Sequence, residues 1–166
     1  MILKSEKMKT FLYRTGQFLS TDMNTAWDFF SSAKNLAVIT PPEMGFKIMT
    51  QIEGKEIYEG MLIDYTVKPL FGIRLHWQTE IFKVNKPDCF MDRQLKGPYK
   101  VWEHTHTFLE KDNGILMTDE VKYQIPFGIV GQMVNSLIVR RKIENIFSFR
   151  EKTLNKIFNQ NGNHNN

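Results

Sequence analysis

Between Phe46 and Ile125 the sequence alternates apolar and polar residues in six successive runs, with no connection long enough to hold a helix. The runs are Phe46–Glu53, Ile57–Val67, Ile73–Val84, Cys89–Leu95, Val101–Leu109 and Ile115–Ile125. A period of two marks a strand with one buried face. The breaks are turn formers: Glu53-Gly-Lys55, Lys68-Pro-Leu-Phe-Gly72, Asn85-Lys-Pro-Asp88, Gly97-Pro98 and Lys111-Asp-Asn-Gly114. Parallel neighbours need a crossover of a dozen or more residues, so connections this short dictate an antiparallel meander. Strands of up to ~11 residues suit a strongly curved sheet.

The flanks supply what the meander lacks. Lys9–Leu19 alternates as a first strand, with Phe11, Tyr13 and Leu19 on one face. Ser20-Thr21-Asp22 offers a helix N-cap, and Asp22 places a negative charge at the positive end of the helix dipole. Met23, Ala26, Trp27, Phe29 and Phe30 then follow helical spacing. A second short helix over Ala33–Val38 must stop at Thr40-Pro41-Pro42, because proline lacks the N–H and disfavours helix before it. After Pro126-Phe-Gly128 the period is helical to Phe158. Ile143, Ile146, Phe147, Arg150, Leu154, Ile157 and Phe158 form one stripe, out of phase with Val130, Met133, Val134, Leu137 and Ile138. A kink, a break or a roll of the buried face is expected near 138–141.

This order predicts an α+β domain over 9–158: a curved seven-stranded antiparallel sheet wrapped around a long C-terminal helix, with two short helices after the first strand. Only that last helix is large enough to cover the concave face. The geometry leaves a cavity between helix and sheet. Residues 1–8 and the Asn-rich 159–166 are expected to be flexible termini, the latter for want of apolar content.

The richest stretch chemically is Gly97-Pro-Tyr-Lys-Val-Trp-Glu-His-Thr-His-Thr-Phe108. On a strand, Trp102, His104, His106 and Phe108 share a face. That face is too polar for a plain core and too aromatic for a plain surface, and it reads as a cavity wall. Asp92 and Gln94, and separately Asp119 and Tyr123, lie on neighbouring runs, and Trp77 shares a face with Thr79 and Ile81. Ordinary core packing is the better reading of Ile81, Val121 and Ile125. The ligand-binding candidates are Trp77, Asp92, Gln94, Trp102, His104, His106, Asp119 and Tyr123.

A His-x-His pair on one face is the start of a metal site if a neighbouring strand adds a third ligand. The preferred reading is instead a buried network in which Asp92 and Asp119 fix the imidazole tautomers, so no metal and no cofactor is expected. Asp92 beside an imidazole also has the makings of a general base. His104, His106 and Asp92 are the catalytic candidates, with none assigned, since no nucleophile elbow or phosphate-cradling glycine loop accompanies them. Thr40–Gly45 reads as a rigid turn or a lid at the cavity mouth, and Arg140–Lys142 as a solvated helix face.

The net charge of +4 is spread along the chain and comes with no groove-reading motif, so nucleic acid is not an expected partner. Cys89 is the single cysteine, which excludes an intrachain disulfide. No apolar run reaches the ~18 residues a membrane span needs, and the first residues lack a signal peptide's apolar stretch. The cytoplasm is the expected compartment, a weak homodimer at most the expected assembly, and a small hydrophobic molecule the expected partner.

Several segments carry a resemblance: Trp27 through Ile39-Thr-Pro-Pro42, Phe90-Met-Asp-Arg-Gln94, Gly97 through Phe108, Asp119-Glu-Val-Lys-Tyr-Gln-Ile-Pro-Phe-Gly128, and Ile146-Phe-Ser-Phe-Arg150. Together they resemble the SRPBCC superfamily, whose START domains and Bet v 1-like allergens share the helix-grip fold. More narrowly they look like its bacterial cyclase/dehydrase-like ligand-binding subgroup. The resemblance implies a hydrophobic ligand tunnel, for a lipid- or polyketide-like molecule, and no fixed reaction. One alternative it leaves open is a cyclase or dehydratase using His104 or His106 as acid–base, with Asp92 orienting it. The other is an interaction module with a vestigial cavity. Fold alone does not choose among them.

Overall fold

The computed structural model describes residues 9–51, 56–69, 72–126, 133 and 138–159. The expected termini 1–8 and 160–166 lie outside that set. Among the described residues, β1 (Phe11–Leu19) leads into α1 (Met23–Phe30) and α2 (Ala33–Val38), then a 3-10 turn at Pro42–Met44. The meander follows as β2 (Lys47–Ile48), β3 (Met61–Val67), β4 (Leu75–Asn85), β5 (Cys89–Lys96), β6 (Val101–Lys111) and β7 (Gly114–Gln124). Helix α3 (Arg140–Leu154) closes the chain with a widened π-type turn at Asn155–Asn159.

These strands make one antiparallel sheet in the order β1-β7-β6-β5-β4-β3-β2. It is the seven-stranded sheet of a helix-grip fold, with the two short helices where the sequence placed them. Asp22 caps α1 as expected, its carboxylate accepting the Thr25 backbone N–H at 2.9 Å. Asp112 and Asn113 both take positive φ (50° and 63°), the backbone of the tight two-residue hairpin that joins β6 to β7. Two bulges bend the sheet: Phe82 is the extra residue in β4 and Leu95 in β5. Each adds local twist and bends its strand.

Two boundaries differ from the alternation pattern. β2 is only two residues long where a strand over Phe46–Glu53 was predicted, with 52–55 outside the described residues. At Met49 and Thr50 the chain leaves the ladder: both backbone N–H groups converge on Asp64 O, and the Thr50 hydroxyl accepts from Asp64 N–H at 2.7 Å. β3 starts at Met61 rather than Ile57 because Tyr58–Gly60 forms a turn, with Met61 N donating to Tyr58 O and Gly60 at φ 84°.

The break expected near 138–141 falls where the described backbone is irregular. Ile138 and Val139 form a π-type turn immediately before α3, and a residue inserted into a turn rotates the faces on either side of it. Met133, counted on the earlier stripe, is 61% exposed. Val130, Val134 and Leu137 lie outside the described residues. Beyond the break Val139, Ile143, Phe147, Arg150 and Leu154 are buried against the sheet. Asn159, read from the sequence as the first residue of a loose tail, instead ties the helix end to β1. Its side-chain amide donates to Phe18 O at 3.0 Å and accepts from Ser20 N–H at 2.9 Å, since an amide side chain can substitute for a missing backbone partner.

The tightest core sits between α1 and one end of the sheet. Trp27 meets Phe90 and Phe108 edge-on with centroids 6.0 Å apart in both pairs, and Leu19, Ile115, Met117 and Leu154 complete it. At the other end a space remains between α2, α3 and the inner face of β3–β6.

Candidate functional site

That space is a cavity of about 170 Å³. Ile63, Tyr65, Trp77, Thr79 and Ile81 form one wall from β3 and β4, and Phe90, Asp92, Trp102, His104 and His106 a second from β5 and β6. The roof is Phe30, Ala33 and Leu36 from the short helices, with Ile143, Ile146 and Arg150 from α3. Half-buried Leu36 and Thr40 and exposed Lys142 also line the cavity. The Thr40–Gly45 turn thus contributes Thr40 and Met44 to the cavity lining.

One end of the cavity is aromatic. Trp77 stacks on Tyr65 (5.9 Å between centroids) and stands edge-on to Trp102 at 5.5 Å, and Tyr99 tilts against Trp102 at 4.7 Å. Thr79 satisfies this wall: its hydroxyl lies 3.1 Å from Tyr65 OH and accepts from Trp77 Nε1–H at 3.1 Å. Burial pushes the Tyr65 and Tyr99 phenols well above their ordinary range, so both remain neutral donors.

The other end is ionic. Cross-strand pairing sets Asp92 opposite His104, and His106 opposite Asp119. The two imidazoles lie 3.9 Å apart by centroid, with Phe90 stacked on His106 at 4.1 Å. His104 Nε2 donates to Asp119 Oδ1 at 2.8 Å, and its Nδ1 is 3.7 Å from Asp92 Oδ2. His106 Nε2 is 3.3 Å from Asp92 Oδ2, and its Nδ1 is 3.0 Å from Asp119 Oδ1. Arg150 Nη1 donates to the same Asp119 oxygen at 3.1 Å. Three donors crowd one oxygen, and the His106 Nδ1 contact is the one left badly aligned for a hydrogen bond.

Burial opposes the charged forms here, and the neighbours decide the outcome. Burial alone would raise the Asp119 carboxyl, yet the Arg150 guanidinium and the imidazoles hold it well below its ordinary value. Burial, with His106 alongside, lowers His104 despite the pull of both carboxylates. Burial works against His106 too, but there Asp119 and Asp92 win and its pKa rises. One imidazolium together with Arg150 balances the two carboxylates, so a single proton makes this buried cluster neutral.

Of the residues singled out from sequence, Trp77, Asp92, Trp102, His104 and His106 line the cavity. Asp119 lies behind the imidazoles instead. Tyr123 faces inward but is 2% exposed, packed with Val121, Val139, Ile143 and Phe147 because α3 covers that part of β7. Gln94 is occupied elsewhere. Its amide donates to Tyr99 O at 2.7 Å and accepts from Tyr99 N–H at 3.2 Å, bracketing the Gly97-Pro98 turn just past the β5 bulge. Sequence reasoning missed the roles of Arg150, Tyr65 and Tyr99. For Arg150 the signal was present: an arginine at a buried position of the α3 stripe requires a buried counter-ion.

No family model matches the sequence, and no curated protein is similar enough to match it. Solved structures are similar in fold. Truncated norcoclaurine synthase from Thalictrum flavum superposes with TM-score 0.67 at 12% identity, covering 98% of this chain and 100% of that one. A START superfamily protein from Mycobacterium smegmatis gives TM-score 0.65 at 11% identity, over 88% and 98% of the two chains. The protein Ara h 8.0201 gives 0.57 at 11% identity, over 89% and 99%. The chain therefore shares the helix-grip fold of these structures. No helix among the described residues is long and apolar enough to cross a membrane.

Proposed function

We propose that the protein binds a small, mostly apolar molecule carrying at least one polar group, in the cavity between sheet and α3. The observation that supports this is the asymmetry of the lining. One wall is aromatic, with the polar atoms of Tyr65, Trp77 and Thr79 bonded to one another, while Asp92, His104 and His106 bring ionisable groups together at the other end. Ligand sites typically combine an apolar enclosure with a few convergent polar groups. Size narrows the class. An engineered cavity of roughly 150 Å³ holds benzene, so about 170 Å³ suits a single ring or a short chain. A long lipid or a folded polyketide would need a wider space than this.

Native mass spectrometry of the purified protein, followed by denaturing extraction, tests this. A defined apolar small molecule released from the chain is the expected result. Titrating the stripped protein with single-ring aromatics should change tryptophan fluorescence, and Trp102→Phe should remove most of that change while Trp27→Phe should not. Failure of both measurements sinks the reading.

One observation favours a second reading, acid–base catalysis. The adjacent imidazoles are displaced in opposite directions, His106 up and His104 down. One protonated and one neutral imidazole in one cavity wall is the pairing a cyclisation or dehydration needs. Turnover lost in His106→Gln but retained in His76→Gln would establish it.

A further inference from the structure

We propose that Asp92, His104 and His106 form a binding site for a divalent first-row transition-metal ion of the zinc class, open to the cavity. This goes beyond the apolar-ligand reading and does not depend on it.

Geometry carries the argument. Each of the three residues offers one donor atom, and the three atoms lie within 4.8 Å of one another. Around a tetrahedral ion with bonds of ~2.1 Å, donors stand about 3.4 Å apart. Asp92 Oδ2 is 3.3 Å from His106 Nε2 and 3.7 Å from His104 Nδ1, close to that spacing without an ion to draw them together. The tautomer follows from Asp119. A carboxylate only accepts, so the His104 N–H is on Nε2, and the neutral ring's Nδ1 lone pair is turned towards the Asp92 oxygen. Two acceptors thus face one another at 3.7 Å, an arrangement that a cation can bridge.

The surroundings are those of a built site. Metal-bound imidazoles almost always donate their second nitrogen to a carboxylate or carbonyl, which sets ring orientation and ligand basicity. Asp119 stands in that position for both rings, 2.8 Å from His104 Nε2 and 3.0 Å from His106 Nδ1, and Arg150 anchors it at 3.1 Å. His106 Nδ1 makes no hydrogen bond as it stands, although it lies 3.0 Å from Asp119 Oδ1. Asp119 thus has a permanent cation, whereas among the described residues the ion-pair partners of Asp92 are the two imidazoles. The Asp92 side chain is 15% exposed and faces the cavity, which gives an ion an entry path and leaves coordination positions for water or a ligand oxygen. Two imidazoles and one carboxylate suit zinc, cobalt or iron better than calcium or magnesium, which take mainly oxygen ligands.

The test is equilibrium dialysis of the chelator-stripped full chain against zinc chloride near neutral pH, with elemental analysis. One retained ion per chain is expected. Asp92→Asn and His106→Ala should each weaken retention by about 100-fold or more, and Asp119→Asn by ~10–100-fold. His76→Ala, which alters the exposed pair with Asp64 on the opposite sheet face, should change nothing. Cobalt(II) loading of the unmutated chain provides a readout free of folding artefacts: the intense visible bands of a four- or five-coordinate site should appear. No retained zinc, a cobalt spectrum matching the aqueous ion, undiminished binding in Asp92→Asn, or loss in His76→Ala would each overturn the proposal.

Discussion

The sheet carries a histidine–aspartate pair on each of its two faces, at almost the same distance. On the outer face His76 Nε2 lies 2.7 Å from Asp64 Oδ1, with side chains 49% and 31% exposed. On the inner face His104 Nε2 lies 2.8 Å from Asp119 Oδ1, at 8% and 6%. Outside, water competes for every contact, and Gln78 shares the carboxylate at 3.1 and 3.2 Å. Inside, each charge must find its balance among neighbours, which recruits Arg150, His106 and Asp92 into one network. Bond length is therefore a poor guide to what a pair does. Burial decides whether it is a local surface contact or the centre of a buried network.

The largest effect should come from taking away the inner pair's permanent cation. Arg150→Ala leaves Asp119 buried without its guanidinium and should cost about 3–5 kcal/mol of stability in urea denaturation. A loss below ~1 kcal/mol would mean that solvent reaches the inner carboxylate as freely as the outer one.

The pH dependence sharpens the contrast. His106 has a raised folded pKa, so its contribution is full below the ordinary value of 6.5 and disappears as pH rises through the folded value. Unfolding free energy should fall over that window, and His106→Gln should flatten the fall. His104 is depressed, so below 6.5 it acts in the other direction, with stability rising as pH climbs from its folded value. Asp119 is lowered, so its contribution persists above the ordinary carboxyl value of 3.8 and is lost only as acid carries the pH down through the folded value. Denaturation curves collected across this range separate the three.

Smaller again is the outer pair. Asp64→Asn should cost roughly 0.2–1 kcal/mol in the same assay. Salt gives the finest distinction. At ~1 M the screening length falls to about 3 Å, so the coupling of His76 to Asp64 in a double-mutant cycle should vanish while that of Asp119 to Arg150 survives.

How much was legible beforehand follows the same division. The strand runs of β4, β6 and β7, the Asp22 cap and the inward face bearing Trp102, His104 and His106 could all be read from period and residue type, which are local properties. Where local signals competed with side-chain detail, the reading failed. The Thr50 hydroxyl ended β2 early, and Gln94 was drawn from the cavity wall to the Tyr99 backbone. Tyr123 was on the expected face but under α3, a long-range contact that alternation does not encode.

Sequence by itself determined the order of elements, the antiparallel connectivity and which side chains share a face, because those depend on spacing along the chain. Tertiary structure decided which of those inward residues face an open space and which are packed shut. It also decided that Arg150, 31 residues from Asp119, would meet it, converting two histidines and an aspartate into a balanced ionic site. Register and bulges bring the strands together, and α3 adds the charge, and only in three dimensions do those two placements meet.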